Sequence, residues 1–375
     1  MASVNQSDVL ILGGGLMGAA TAFFLRQRGV SVTLLERGLC GQQASGVNFG
    51  NVRRQGRFLP QLPLANRARL LWSRLPTLLG EDVEFLPTGH LRVAYHPEQV
   101  AMMEAYRDGA RDYGLDLEII GGNAARDRFP WLSSEVLGGS FSVEDGHANP
   151  RLVAPAFARA AKRDGARIVE DCDVIAIERE SDGFRLESAD GEIWRAPVLQ
   201  VSAGAWGGRI AEAFGEPVPI IARGPQMGVT EPVPYALHPV LGVTTKTIGE
   251  VIYMRQVTRG NIVFGGTGHG PADLDTRRAK VMPEITLQQF AQLRRMVPAV
   301  GQLRIIRTWS GVEGYLRDDR PVMGPSGKVP GLFYAFGFCG HGFQLGPGVG
   351  EVMAELIATG STTTPLGPFH IGRFA

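Results

Sequence analysis

The sequence predicts a mixed α/β fold, and three observations carry that prediction. A short apolar run, "DVLIL" (Asp8 to Leu12), leads directly into Gly13-Gly14-Gly15-Leu16-Met17-Gly18 and then into a stretch of helical composition. A second apolar run, "VLQV" from Val198, is followed by a small-residue turn and another helical stretch. Two strand-rich segments, "GHLRVAYH" (Gly89 to His96) and about Pro217 to Trp309, interrupt this α/β pattern. At 375 residues the chain exceeds what one hydrophobic core usually serves, so two domains are expected.

The first unit is specific in its physics. Asp8 to Leu12 has the unbroken apolar character of a buried parallel strand. Gly13 permits a tight turn, Gly15 lets a pyrophosphate approach the backbone, and Gly18 lets the helix pack on the strand. The helix, Ala19 to Arg28 with Gly29 as its C-cap, then aims its N-terminus at the phosphates. "VSVTLLE" supplies a second strand ending at Glu36, 18 residues past Gly18, where a carboxylate can accept hydrogen bonds from ribose hydroxyls. G-x-G-x-x-G alone is weak evidence, but strand, helix, strand and terminal acid together predict a Rossmann-type dinucleotide site. The uncharged run of 17 residues from Val9 to Leu25 is not read as a membrane span or signal. It falls short of about 20 residues, lacks a basic flank and holds three adjacent glycines.

Beyond Glu36, "RGLCGQQASGVNFGNVRRQGR" has no apolar period and reads as an extended loop rich in backbone donors, suited to following a long cofactor. "VLQVSAGAWGGRIAEAFG" (Val198 to Gly215) reads as strand, turn at Ala203-Gly204-Ala205, and helix. Near the C-terminus, six of the first fourteen residues of "GFCGHGFQLGPGVGEVMAEL" are glycine, before a helix expected from roughly Val349 to Thr359. So many glycines imply that something approaches the backbone closely. Net charge is +1, which gives no electrostatic case for nucleic acid or an anionic membrane. The basic cluster from Arg53 to Arg57 reads as a local anion site or a solvated face. Three scattered cysteines make no disulfide framework, the seven histidines show no metal-ligand spacing, and a cytoplasmic protein without metal is expected.

These segments together resemble the D-amino-acid oxidase superfamily of FAD enzymes. The resemblance rests on Gly13 to Gly18 with Glu36, on Ala44-Ser45 and Asn48 to Asn51, and on "GARIVEDCDVIAIERE" around Val174. "SAGAW" (Ser202 to Trp206), "TWSGVEGYLRDDRPVMGP" (Thr308 to Pro325) and "FGFCGHGFQLGPGVGE" complete it, so it spans essentially the whole chain. Within the superfamily the chain looks most like flavin subunits of bacterial dehydrogenases acting on hydroxyproline, proline, opines or sarcosine-like compounds. The resemblance implies a Rossmann-type FAD-binding domain built from residues 1-82, 146-216 and 314-375. It also implies a discontinuous substrate domain, 83-145 and 217-313, built on a large antiparallel sheet. The implied contacts to non-covalent FAD are Gly13, Gly15, Leu16, Met17, Gly18, Glu36, Arg37, Ala44, Ser45, Asn48, Gly50, Asn51, Val52, Val174, Ala203, Gly204 and Trp206. Gly340, His341, Gly342, Phe343 and Gln344 would wrap the pyrimidine end of the flavin, where a helix N-terminus stabilises negative charge.

The implied reaction is hydride transfer from the carbon bearing the amine to flavin N5, giving an imine that water hydrolyses. Glu313, Tyr315, His341, Gln344, Tyr253 and Arg54 are the candidate catalytic residues. In sarcosine-oxidase relatives a lysine that binds the substrate carboxylate stands at the position of Gln344, and in glycine oxidase an arginine stands at that of Glu313. Arg54, Arg57, Tyr253, Arg255 and Tyr315 are candidates for the missing anion contact, and Glu313 could attract a substrate cation. The stretch Val251 to Arg278 contains no lysine, although relatives use one to promote reaction with oxygen; Arg255 or His269 could substitute. The leading expectation is an FAD-dependent amino-acid dehydrogenase acting as one subunit of a hetero-oligomer with redox partners. An oxygen-using oxidase and a flavin-bearing interaction subunit without its own substrate site are the alternatives.

Overall fold

A computed structural model describes residues 4–375. Two large sheets organise them. The first has six strands in the spatial order Val322–Pro325, Leu332–Phe336, Val198–Val201, Val9–Leu12, Val32–Leu35 and Arg167–Val169. All neighbours run parallel except the edge pair of Val322–Pro325 with Leu332–Phe336. Leu10, Ile11, Leu34, Leu35, Leu199 and Val201 have no solvent exposure, as expected for parallel strands covered on both faces. The helix Leu16–Arg26 follows the central strand and packs beside the helices Pro150–Arg163 and Gly342–Thr359. Phe23, Phe24 and Phe157 meet edge-on and tilted at that junction, with ring centroids 5.1 to 6.1 Å apart. The carboxyl ends of the parallel strands, where open α/β sheets bind ligands, lead into Gly13, Glu36, Ser202 and Gly337.

The second sheet has ten strands. Its main path runs Ile305–Ser310, Ile221–Pro232, Asn261–Asp273, Ile252–Gln256, Val240–Val243, His90–Ala94, Gly138–Ser142 and Glu118–Gly121. Arg278–Ala279 and Glu313–Tyr315 pair onto it from the side. Every pairing is antiparallel except Val240–Val243 with His90–Ala94. One face packs Phe264, Ile252 and Met254 with Leu293 and Met296 of the helix Pro283–Met296. On the opposite face Met227, Gly265 and Tyr253 stand in register across three strands.

Three details depart from the sequence reading. The C-terminal helix begins at Gly342, well before Val349. A Cβ at Gly346 would lie 2.3 Å from Leu16 Cδ2, and one at Gly350 would lie 2.4 Å from Ala20 Cβ. These glycines therefore serve helix–helix contact, which a propensity argument scores against helix. Within the predicted extended loop, Ala44–Val47 forms a helical turn and Asn51–Val52 a short strand paired with Gly146–His147. The strand-rich region also contains the helix Pro283–Met296, 14 residues long.

Candidate functional site

A cavity of about 810 Å³ lies between the two sheets, within the size range of about 300–1,000 Å³ usual for ligand sites. At one end it opens on the glycine turn. Gly13 has φ +107°, and a Cβ there would sit 2.6 Å from the Ser202 carbonyl oxygen. A Cβ at Gly18 would sit 2.0 Å from the Gly13 carbonyl oxygen, so Gly18 supports the turn from beneath and does not line the cavity. A Cβ at Gly15 would meet only Ser45 Oγ, at 3.2 Å, on the cavity wall. The Leu16 N–H donates to Ser45 Oγ at 2.9 Å, and the N-cap residue itself, Gly15, makes no side-chain cap.

Glu36 is held by backbone donors. Its Oε2 accepts from the Gly14 N–H at 2.6 Å and its Oε1 from the Gly38 N–H at 2.8 Å, fixing a carboxylate on the cavity wall. The Arg37 guanidinium lies 5.0 Å from the Trp206 ring centre, and Trp206 donates its Nε1–H to Leu274 O. Ala44, Val174, Ala203 and Gly204 line the same end. Asn48 shapes the chain that follows, donating to the Ala44 and Ser45 carbonyls and accepting from the Gly50 N–H. Val52 is fully buried in the core, with its side chain away from the cavity. Two carbonyl oxygens on lining residues, Asn51 Oδ1 and Gln344 Oε1, are buried without a partner. Helix starts whose own N-cap residues make no side-chain cap, a wall that only glycine leaves open and unpaired polar atoms fit the flavin dinucleotide that the sequence predicts.

The other end is built from the ten-stranded sheet and the C-terminal run. Glu313 Oε1 accepts from the Gly340 N–H at 2.7 Å, and Glu313 Oε2 lies 3.3 Å from the Tyr315 hydroxyl. That hydroxyl is also 3.4 Å from His269 Nε2. Burial pushes the Glu313 carboxyl and the Tyr315 phenol up. Burial, reinforced by Arg223, pulls His269 down. Tyr253 packs edge-on against Phe49 at 4.7 Å, with its hydroxyl beside Met227, and burial pushes its phenol up. His341 is held well below the usual imidazole range by burial and by Arg53, Arg57 and Arg92. Its Nδ1 lies 3.3 Å from Arg53 Nη2, and its carbonyl accepts from Arg57 Nη1 and Nη2.

Three of the expected substrate contacts stand differently. Arg54 is a structural ion-pair residue outside the cavity, 2.7 Å from Glu144 and 3.2 Å from the fully buried Asp145. Arg255 is also outside it, donating Nε–H to Phe49 O and lying 3.2 Å from His147 Nδ1. Gln344 lines the cavity, but one of its two amide N–H donors is committed to Ala65 O, which fixes the side chain against the helix Leu62–Trp72. Arg57 does line the cavity, and so does Arg53, which the sequence singles out only as part of the basic cluster. Among the described residues neither has a carboxylate within 4.0 Å. Burial and Arg53 lower Arg57 to about 9, which leaves it charged at neutral pH. The spacing in "RRQGR" gives two parities of arginine, and nothing local says which parity faces inward.

No helix of the described residues is long and apolar enough to cross a membrane, and they contain no metal-binding cluster. The family profile described as "DAO: FAD dependent oxidoreductase" matches residues 8–356. The chain is 28% identical to glycine oxidase of Geobacillus kaustophilus, over 98% of both chains. It is 27% identical to sarcosine oxidase subunit beta of Rhizobium meliloti, over 98% of this chain and 88% of that one. Among solved structures, L-proline dehydrogenase from P. horikoshii superposes with a TM-score of 0.91 at 27% identity, covering 99% of this chain and 98% of that one.

Proposed function

Because the chain belongs to the DAO family of FAD dependent oxidoreductases, we propose that it uses non-covalent FAD to oxidise the C–N bond of a secondary or cyclic amino acid to an imine. The carrying observation is a cavity that places two guanidiniums without carboxylate partners, Arg53 and Arg57, in the same space as the carboxylate of Glu313. An amino acid presents the complementary pair, an anionic carboxylate and a cationic amine. Glycine, sarcosine and proline, after which the three relatives are named, all have it. When bound, FAD takes up two electrons and a hydrogen from the substrate carbon.

The chain's own residues bind and orient. Arg57 and Arg53 hold the carboxylate, Glu313 faces the amine, and Tyr253 and Met227 form the wall over the substrate carbon. Gly13 and Gly15 admit the pyrophosphate, Glu36 holds the ribose, and the Gly342 helix start with Gly340 and His341 serves the pyrimidine end. Burial pushes Cys339, which lines the cavity, up to about 12; its thiolate is scarce, which supports non-covalent attachment. Residues 1-82, 146-216 and 314-375 would carry the cofactor and 83-145 with 217-313 the substrate, with Arg53 and Arg57 reaching the substrate from the first segment. No lysine lines the cavity among the described residues, which favours a dehydrogenase working with a redox partner subunit over an oxygen-using oxidase. Three free cysteines suit the cytoplasm.

The test is anaerobic mixing of the purified flavoprotein with D- and L-proline, hydroxyprolines, opines and N-methyl amino acids. Loss of the oxidised flavin spectrum with at least one of them is expected. A full complement of FAD that none of them bleaches would instead favour an interaction subunit.

A further inference from the structure

The two oxygens of Glu313 have different surroundings, and the difference has a chemical use. Oε1 is fixed by the Gly340 N–H at 2.7 Å, whereas Oε2 faces only the Tyr315 hydroxyl. No cation pairs with this carboxylate among the described residues. Arg223 stands opposite it in register, yet its guanidinium lies over the Tyr315 ring, 5.3 Å from the centre. The Tyr315 hydroxyl therefore has two acceptors within reach, Glu313 Oε2 at 3.3 Å and His269 Nε2 at 3.4 Å. All three side chains line the cavity, and His269 is also exposed to solvent.

Amino acids arrive at neutral pH largely as ammonium ions, whose nitrogen lone pair is occupied, so one proton must leave before the C–N bond can be oxidised. Resting on the function proposed above, we propose that Glu313, Tyr315 and His269 carry that proton from the substrate amine to solvent. The ammonium N–H bond breaks and an O–H bond forms on Glu313 Oε2. That O–H then breaks as the Tyr315 oxygen accepts its hydrogen, while the original Tyr315 hydrogen forms an N–H bond at His269 Nε2. His269 gives up a proton to water and the starting state returns. No oxidant or reductant takes part in this sequence.

The surroundings suit each member. Burial raises Glu313, and partial burial with Arg223 lowers His269, so their proton affinities move toward one another. Burial and Glu313 also raise Tyr315, so it relays as a hydroxyl and is never a resident phenolate. The other titratable groups facing this path are Tyr253 from the neighbouring strand, Cys339 behind Tyr315, Asp319 and Arg277 on the cavity wall, and Arg223. Of these, Arg223 adds to desolvation in lowering His269.

The experiment follows anaerobic flavin reduction of holoenzyme by L-proline, D-proline and sarcosine across pH, in wild type, Glu313→Gln, Tyr315→Phe and His269→Gln. General acid–base groups contribute about 10²–10⁴-fold, so each variant is expected to reduce at least tenfold more slowly at neutral pH. Each is expected to approach wild type at alkaline pH, where the substrate arrives with a neutral amine. A pH indicator should show a fast proton release on mixing in wild type, delayed in Tyr315→Phe, and imidazole should restore His269→Gln. FAD content confirms that each variant is folded. A loss independent of pH, or a higher substrate requirement at every pH with an unchanged limiting rate, would make Glu313 a cation anchor and overturn the relay. Variants indistinguishable from wild type would also overturn it. If none of the probes bleaches wild-type enzyme, the function itself fails and the relay with it.

Discussion

Arg54 and Arg57 belong to one short basic cluster and have opposite roles. Arg57 donates to the Arg53 and His341 carbonyls and to Gln61 Oε1, so it is rigidly placed while its charge is left without a carboxylate. Arg57→Gln should weaken use of carboxylate substrates through loss of a charge-assisted bond worth about 1.5–3 kcal/mol, or roughly tenfold or more in apparent affinity. The neutral methyl ester of the same substrate should be handled equally by variant and wild type, and an equal loss on both would show that Arg57 does not hold the carboxylate. Arg54→Gln should act on stability. It strips the guanidinium from Asp145, which is fully buried, and breaking such a pair costs about 3–5 kcal/mol. Asp145 keeps the backbone N–H of Arg54, which places the expected loss toward the lower figure. Thermal unfolding reads it, and an unchanged Tm with a raised KM would return Arg54 to the substrate.

At the scale of elements, glycine does two different jobs in the chain. Gly15 faces the cavity, whereas Gly346 and Gly350 face the helix Leu16–Arg26. Gly15→Val should leave a folded, colourless protein, because the branched side chain fills the pyrophosphate space. Gly350→Val should lose stability instead, since its Cβ would lie 2.4 Å from Ala20 Cβ and the helices must part; overpacking of this kind costs about 1–3 kcal/mol. The flavin-to-protein absorbance ratio and thermal unfolding separate the two, and a reversed pattern would remove this assignment of the glycines. The same contrast explains what was legible. The first strand, turn, helix and Glu36 follow one another in the chain, so local sequence held the whole argument. The start of the last helix was hidden because its glycines answer to Leu16 and Ala20, more than 300 residues away. Tyr315 and His269 come together from different strands, and Arg53 differs from Arg54 only in which way it faces. Such facts depend on tertiary packing and leave no periodic trace.

For the molecule as a whole, the arrangement of charge around the cavity bears on which acceptor takes the electrons. Reaction of a reduced flavin with oxygen is helped by positive charge held beside the ring, because negative charge develops on the oxygen. The lining of this cavity contains no lysine among the described residues, and His341 in the glycine-rich C-terminal run is held neutral by burial and three nearby arginines. Arg53 and Arg57 are cations, but they bind the His341 carbonyl and ring nitrogen and, on the proposed reading, the substrate or product carboxylate. A guanidinium spread over three nitrogens and already occupied is a poor replacement for a compact ammonium. The reduced enzyme is therefore expected to reoxidise slowly in air and to pass electrons faster to an artificial dye or a partner subunit. Stopped-flow mixing of reduced holoenzyme with oxygenated buffer measures the first rate, and steady-state dye reduction the second. Oxygen reoxidation as fast as substrate turnover would make the protein an oxidase, and Arg53→Gln would then show whether that guanidinium supplies the charge.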